Sequence, residues 1–352
     1  MITDRYSPRK LMSSALFLTS LGGLVLASYP SYLTLQILYG YWGFTSVFLF
    51  WGAMIKATRL WGGDSNQGKA FGLLDGGRGI VAASMGSIGV FIFSIILTKD
   101  IESASILERQ EAFRYVILFS SFMVALIGFL VLIFLRNSDE KNSTLQSSLN
   151  SLTNIKNVLK NESIWLLMLI IMCAYMGYKV TDIYSLYASE IMLFDEIEAA
   201  EVGALQLYLR PIVCIAIGLL ADKTKNMFWI IFGFIIMLIG AVIFSTGFIK
   251  ANMNVIFFLS LVVLAVGTYS IRALYFAVLK EAKVPFALTG TAVGLISVVG
   301  YSPDIFAGPM IGYLLDENPG IIGHQYVYFM LVIFSIIGLI ASIRFSVKTN
   351  MV

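Results

Sequence analysis

Gly218-Leu219-Leu220-Ala221-Asp222-Lys223-Thr224-Lys225 sets an acidic residue directly before clustered bases, and a long apolar run follows. Asp4-Arg5-Tyr6-Ser7-Pro8-Arg9-Lys10 has the same order of charges and leads into another apolar run. Each reads as a cytoplasmic loop between two membrane helices, used twice in one chain. Two hydrophobic segments, 163–187 and 201–220, precede the later copy and none precedes the earlier one. The pattern is that of a repeat protein that begins inside its first repeat.

Composition supports the membrane reading independently of the loops. Hydrophobic residues make up 58% of the 352 and charged residues 13%, against about a quarter charged in an ordinary soluble domain. Mean hydropathy is +0.85. A bilayer core of about 30 Å takes about 20 apolar residues per helix, and ten segments qualify: 11–28, 33–55, 70–97, 114–135, 163–187, 201–220, 227–249, 254–279, 286–314 and 326–345. The runs are continuous rather than alternating, so helices and not barrel strands are expected. The fold class is an all-α polytopic membrane protein. Cys173 and Cys214 fall inside spans and read as packing residues, and His324 is expected in a short loop.

Basic residues orient the chain. With the first loop cytoplasmic, the inside loops collect sixteen Lys and Arg, including Lys56, Arg59, Arg136 and Lys141, and the outside loops four, Lys99, Arg109, Arg114 and Lys250. The positive-inside rule then places both termini in the cytoplasm. A polar connector at 136–162 divides four spans from six, giving regions 1–135, 136–162 and 163–352. Within it Leu149, Leu152, Ile155 and Leu159 recur at helical spacing, as in a short amphipathic surface helix.

The loop motif resembles that of the major facilitator superfamily, a Gly ahead of an Asp-Arg/Lys pair and further bases. Gly218, Asp222 and Lys223 match it with one extra residue in the spacing, and Asp4, Arg5, Arg9 and Lys10 match the first-half copy without its Gly. The resemblance implies a fold of twelve helices in two six-helix halves joined by a cytoplasmic linker. It also implies that two helices would precede Met1, leaving 1–135 as an incomplete first half. On that count the spans carrying interior charges become the fifth, seventh, eighth, tenth and eleventh helices of the fold, which line its central cavity. The uncharged first, fourth, seventh and tenth spans become its peripheral helices. The loops would then act as cytoplasmic latches between the halves.

Ionisable groups at bilayer depth are costly and mark function by default. Seven occur: Asp75 and Arg78 in the third span, Lys179 and Asp182 in the fifth, Arg210 in the sixth, Arg272 in the eighth and Asp304 in the ninth. Asp75 with Arg78 and Lys179 with Asp182 are spaced for pairing at i, i+3, whereas Arg210 and Arg272 have no acid within a helical turn. A stripe of Gly72, Gly76, Gly79, Ala83 and Gly86 suits close helix packing.

Four bases against three acids, with hydroxyls on Tyr175, Tyr178, Tyr269 and Tyr275 and the amide of Gln206, suit a small polar anion. The segments 71–79 and 300–304 look like a bacterial branch of the superfamily near the sugar-phosphate antiporters. In those, the first helix of each half gives a base to the anion, and Lys179 lies on the corresponding second-half helix. The resulting expectation is a secondary active transporter of a sugar phosphate, sulfonate or carboxylate in a bacterial inner membrane, with a proton or phosphate as counter-ion. Asp75, Asp182 or Asp304 is the candidate to carry a coupling proton. A transporter-like sensor without net flux and an inactive truncated product are the alternatives. Enzymatic, cofactor, metal and nucleic-acid roles find no support: Gly76-Gly77-Arg78-Gly79 lies in an apolar span with no strand before it, so it is not a phosphate cradle.

Overall fold

The computed structural model describes residues 2–97, 104–135 and 151–349. Lys99, Arg136, Lys141, Leu149 and most of the expected linker lie outside the described residues. The regular elements among the described residues are all helices, with no strand among them. The main helices are α1 (Pro8–Leu26), α2 (Tyr32–Gly62), α3 (Gln67–Ile96), α4 (Ile106–Phe134), α5 (Glu162–Glu190), α6 (Glu196–Lys223), α7 (Asn226–Ser245), α8 (Asn254–Leu274), α9 (Phe286–Glu317) and α10 (Ile321–Lys348). Nine of these, all but α1, are long and apolar enough to cross a membrane among the described residues. Ten were expected. The first stretch is helical as anticipated, but it opens with Arg9 and Lys10 and carries several serines, which dilute its apolar character.

Several helices are interrupted along their length. Pro8 sits in the first turn of α1, where its missing N–H is no loss. α2 contains a π-helical stretch at Gly43–Trp51. α5 runs as α-helix to Val180, tightens to a 3-10 turn at Thr181–Ile183, and resumes at Tyr184–Glu190. A 3-10 turn inside a helix is a common mark of a hinge or of strain. α9 breaks after Gly300, and Pro303 starts its second piece, because proline cannot donate the helical hydrogen bond. A helix at Ser151–Leu159 covers three of the four periodic positions expected in the connector, Leu152, Ile155 and Leu159.

His324 corrects an expectation: it lies inside α10, not in a loop, because Gly320, at φ 77°, makes the left-handed turn from which the helix starts at Ile321. Its Nε2 is 2.9 Å from Glu190 Oε2, at the end of α5.

The chain forms two compact units, one of Met1–Leu60, Val81–Asn154 and Pro285–Gly294, the other of Trp61–Ile80, Ile155–Val284 and Leu295–Val352. In the first, α1 packs on α4 and on the middle of α2. Ser13 Oγ donates to Gly128 O at 2.9 Å, and a Cβ on Gly128 would touch Leu16 at 3.2 Å. In the second, α7 packs on α8 and α10, and α10 on α5. Glycines set the spacing: a Cβ on Gly240 would come within 2.9 Å of Leu264, so the backbones of α7 and α8 meet directly.

The same device draws α3 onto α6 within this unit. A Cβ at Gly72 would lie 2.6 Å from Cys214 O and 2.8 Å from Gly218 Cα, and one at Gly76 2.7 Å from Ile215. The start of the expected small-residue stripe is therefore a helix crossing. Gly218, singled out in the loop motif, is its counterpart on α6.

Candidate functional site

That crossing brings Asp75 against Arg210. The guanidinium grips the carboxylate with two nitrogens, Nη2 to Oδ1 at 2.9 Å and Nε to Oδ2 at 3.3 Å. Arg272 Nε, from α8, lies 3.3 Å from Oδ2, and Arg78 Nη1, one turn along α3, lies 3.3 Å from Oδ1. Three guanidinium groups thus face one carboxylate. Asp75, Arg210 and Arg272 are all buried. A bidentate Arg–carboxylate pair is the strong form of this contact, and burying it is tolerated only because both charges are met.

Arg272 is the least satisfied member. Its Nε faces Asp75 at ion-pair distance but off hydrogen-bond alignment, and its Nη1 makes no hydrogen bond among the described residues. The guanidinium lies over the Tyr178 ring at 3.8 Å, with the Tyr175 ring at 5.6 Å. These cation–π contacts offset part of the desolvation without using the N–H groups. A buried donor without an acceptor costs roughly 1–3 kcal/mol, more when charged, so the position is held at a standing cost.

A second, shallower group stands beside it. Lys179 Nζ is 3.0 Å from Asp182 and 3.8 Å from Asp304, and Tyr175 Oη donates to both Asp304 oxygens at 3.0 and 3.2 Å. Its acids are half exposed, at 55% and 53% of their side-chain surface. Tyr269 Oη donates to Gln206 Oε1 at 3.3 Å, and the hydroxyls of Tyr275 and Tyr301 are 2.9 Å apart. Every span residue nominated from sequence falls in this one unit, on the 67–80 part of α3 and on α5, α6, α8 and α9, with Tyr275 at the C-terminal cap of α8. The expected pairs at i, i+3 both form, but Arg210 and Arg272 find their acid on another helix.

Sequence reading missed two participants. Cys214, taken as a packing residue, points its thiol at Asp75 Oδ2 at 3.5 Å. It sits one turn from Arg210 on α6, the only signal available. Tyr301 lay in the 300–304 segment that carries the resemblance but was not nominated, and its hydroxyl is the one 2.9 Å from that of Tyr275. In the other unit Arg59, counted only for charge, is 1% exposed, donates to Thr289 Oγ1 at 2.7 Å and lies over the Phe286 ring.

The two motif aspartates do the same local work, each in its own unit. Asp222 accepts from Gly68 N at 2.7 Å and Lys69 N at 2.8 Å, capping α3. Asp4 accepts from Gly290 N at 2.7 Å, Thr291 N at 2.9 Å and Thr291 Oγ1 at 2.5 Å, early in α9. In both, the first donor is a glycine: a Cβ on Gly68 or Gly290 would lie 2.8 Å from the carboxylate. Negative charge at a helix N-terminus is favoured by its unpaired N–H groups. Arg5, Lys10 and Lys223 are exposed, and Arg9 is half-buried. In the loop after α2, the Lys280 ammonium, 2.7 Å away, hydrogen-bonds Asp64 and holds its carboxyl below the usual carboxylate range.

A bundle of long apolar helices with interior charges gathered on a few of them defines a polytopic membrane protein of the transporter type. Residues 1–308 match the profile of the Major Facilitator Superfamily, and the chain belongs to that family. It is 27% identical over 338 residues to the inner membrane protein YqcE of Escherichia coli, covering 94% of this chain and 77% of that one. It is 26% identical over 348 residues to the inner membrane protein YihN of the same organism, covering 97% and 80%. Among solved structures it resembles FucP, a facilitator-superfamily transporter in an outward conformation, with a TM-score of 0.70, 14% identity, and coverage of 97% and 84%. It also resembles the proton:xylose symporter XylE, with a TM-score of 0.70, 16% identity, and coverage of 98% and 81%. At those identities the structural likeness shows the fold alone.

Proposed function

We propose that this chain is a secondary active transporter that moves a small polar organic anion by alternating access in a bacterial inner membrane. One observation carries the substrate class: Arg272 is buried, faces Asp75 together with Arg210, and keeps an Nη1 with no hydrogen-bond partner among the described residues. Arginine's planar fork suits phosphate, sulfonate or carboxylate, and a buried donor left without an acceptor is a place where a ligand oxygen gains more than it would on the surface. FucP and XylE fit sugars into the same fold; the arginines here favour a charged relative of such substrates. Tyr175, Tyr178, Tyr269, Tyr275 and Gln206 supply hydroxyl and amide contacts to the substrate body, and Lys179 a second charge. Asp182 and Asp304 are the candidate carriers of a coupling proton; phosphate as an exchanged counter-ion is the other option. Both termini are cytoplasmic in this reading, and the Asp4 and Asp222 loops are latches that release their helix caps during the cycle.

The test is counterflow in proteoliposomes with a panel of labelled phosphate monoesters, sulfonates, carboxylates and neutral sugars. Exchange of one or more anions with no exchange of neutral sugars is expected. Exchange restricted to neutral sugars would overturn the substrate class, and binding without any exchange would favour a sensor.

A further inference from the structure

Asp75 occupies the place on Arg210 and Arg272 that an incoming oxyanion would need. Its Oδ1 takes Arg210 Nη2, and its Oδ2 takes Arg210 Nε and faces Arg272 Nε. An anion cannot take the Nε side of either arginine while that carboxylate is seated. Arg78 offers an exit, being on the same helix, one turn away, already 3.3 Å from Oδ1 and 37% exposed where the other two are at most 10%. A rotamer change at Asp75 keeps it beside Arg78 and uncovers two buried guanidinium groups.

We infer that Asp75 is the resident counter-ion of this site, displaced toward Arg78 when substrate binds, and that the displacing group is a doubly charged tetrahedral oxyanion. The inference rests on the anion reading above and goes further in naming the charge of the head group. Two buried guanidinium groups released from one carboxylate are matched by two negative charges, whereas a singly charged head leaves one base uncompensated in a low-dielectric site. The Arg272 Nη1 is the donor through which the exchange begins, since it makes no hydrogen bond in the Asp75-bound arrangement. Asp75 is a positioning residue here, competing with substrate rather than touching it. The stacked Tyr178 ring holds the Arg272 plane in register throughout the swap.

Cys214 reports on the exchange, because its thiol has two acceptors in reach, Asp75 Oδ2 at 3.5 Å and Tyr269 O at 3.6 Å, and displacement of Asp75 leaves it only the second. The experiment uses the full chain purified in detergent, with methylphosphonate and methanesulfonate as probes at alkaline pH. The two have one shape and differ by one charge. Wild type is expected to bind the phosphonate tighter by on the order of tenfold or more, and Asp75→Asn to bind it tighter still by a similar factor. Infrared difference spectra of the unmutated protein supply a readout that needs no variant to fold at this position. The S–H band, assigned by its loss in Cys214→Ser, shifts as phosphonate binds and the bond to Asp75 breaks. Sulfate as a third probe separates an inorganic ion, bound as tightly as the phosphonate, from an organic head group, bound less tightly. Binding with an unmoved S–H band, with weaker affinity in Asp75→Asn, or without preference for the doubly charged probe overturns the displacement. Failure of every anion to bind wild type overturns the anion reading with it.

Discussion

The deep cluster around Asp75 and the shallow one around Lys179 are built from the same kinds of residue and differ in two respects. In the first, three bases face one acid and the two arginines from α6 and α8 are at most 10% exposed; in the second, two acids share one base and are more than half exposed. Burial makes each contact in the deep cluster expensive to leave unmade, whereas water screens the shallow one. On the proposed function, recognition of a charged substrate belongs where the protein cannot leave a charge unanswered. Exchange of a small ion with solvent belongs where it can. Tyr175 stands between them, donating to Asp304 while its ring faces Arg272, so the two groups are close enough to be coupled.

The contrast can be broken from the deep side first. Asp75→Asn leaves arginines buried without their carboxylate, and loss of one partner of a buried pair costs about 3–5 kcal/mol. The expected outcome is a large drop in melting temperature in anion-free detergent, mostly restored by a bound oxyanion. Tyr178→Leu removes the ring under Arg272, a contact worth about 2 kcal/mol when desolvated. Anion affinity should fall by on the order of tenfold or more, with Tyr178→Phe close to wild type in the same titration.

Asp222→Ala removes two N–H acceptors from the start of α3, as Asp4→Ala does in α9, each at ~1 kcal/mol. Matching small shifts in thermal unfolding are expected, and a stability loss confined to one variant would show the two caps are not equivalent. At the shallow group, Asp304→Asn breaks a half-exposed ion pair worth ~1 kcal/mol or less. Melting should barely move, while the pH dependence of counterflow changes. A flux profile identical to wild type across pH would remove Asp304 from coupling.

How far the sequence reached depends on the range of the interaction. Spans, their order and the pairs at i, i+3 are local properties, so Asp75 with Arg78 and Lys179 with Asp182 were legible. The partnership of Asp75 with Arg210 joins residues 135 positions apart. It depends on glycines at 72, 76 and 218 allowing two backbones to meet, which a stripe suggests without naming the partner helix. Cys214 was passed over for that reason, since a cysteine in an apolar run looks like packing until the facing helix is known. The aspartate caps were half visible: the motif flagged Asp4 and Asp222, but nothing local to them pointed to Gly290 or Gly68. Helix interruptions were not read from the sequence: 286–314 was one span there, although Pro303 marks the break, while Pro211 and Pro309 lie inside unbroken helices. The 3-10 turn at Thr181–Ile183 and the π-helical stretch of α2 carry no such mark.

The central claim is that Arg210 and Arg272 form the anion site. Counterflow of a labelled anion that wild type exchanges, measured in proteoliposomes of Arg272→Ala and of Arg210→Ala at matched protein incorporation, tests it directly. Exchange at background in both, with normal membrane insertion, is the predicted result. Flux near wild type in both would contradict it.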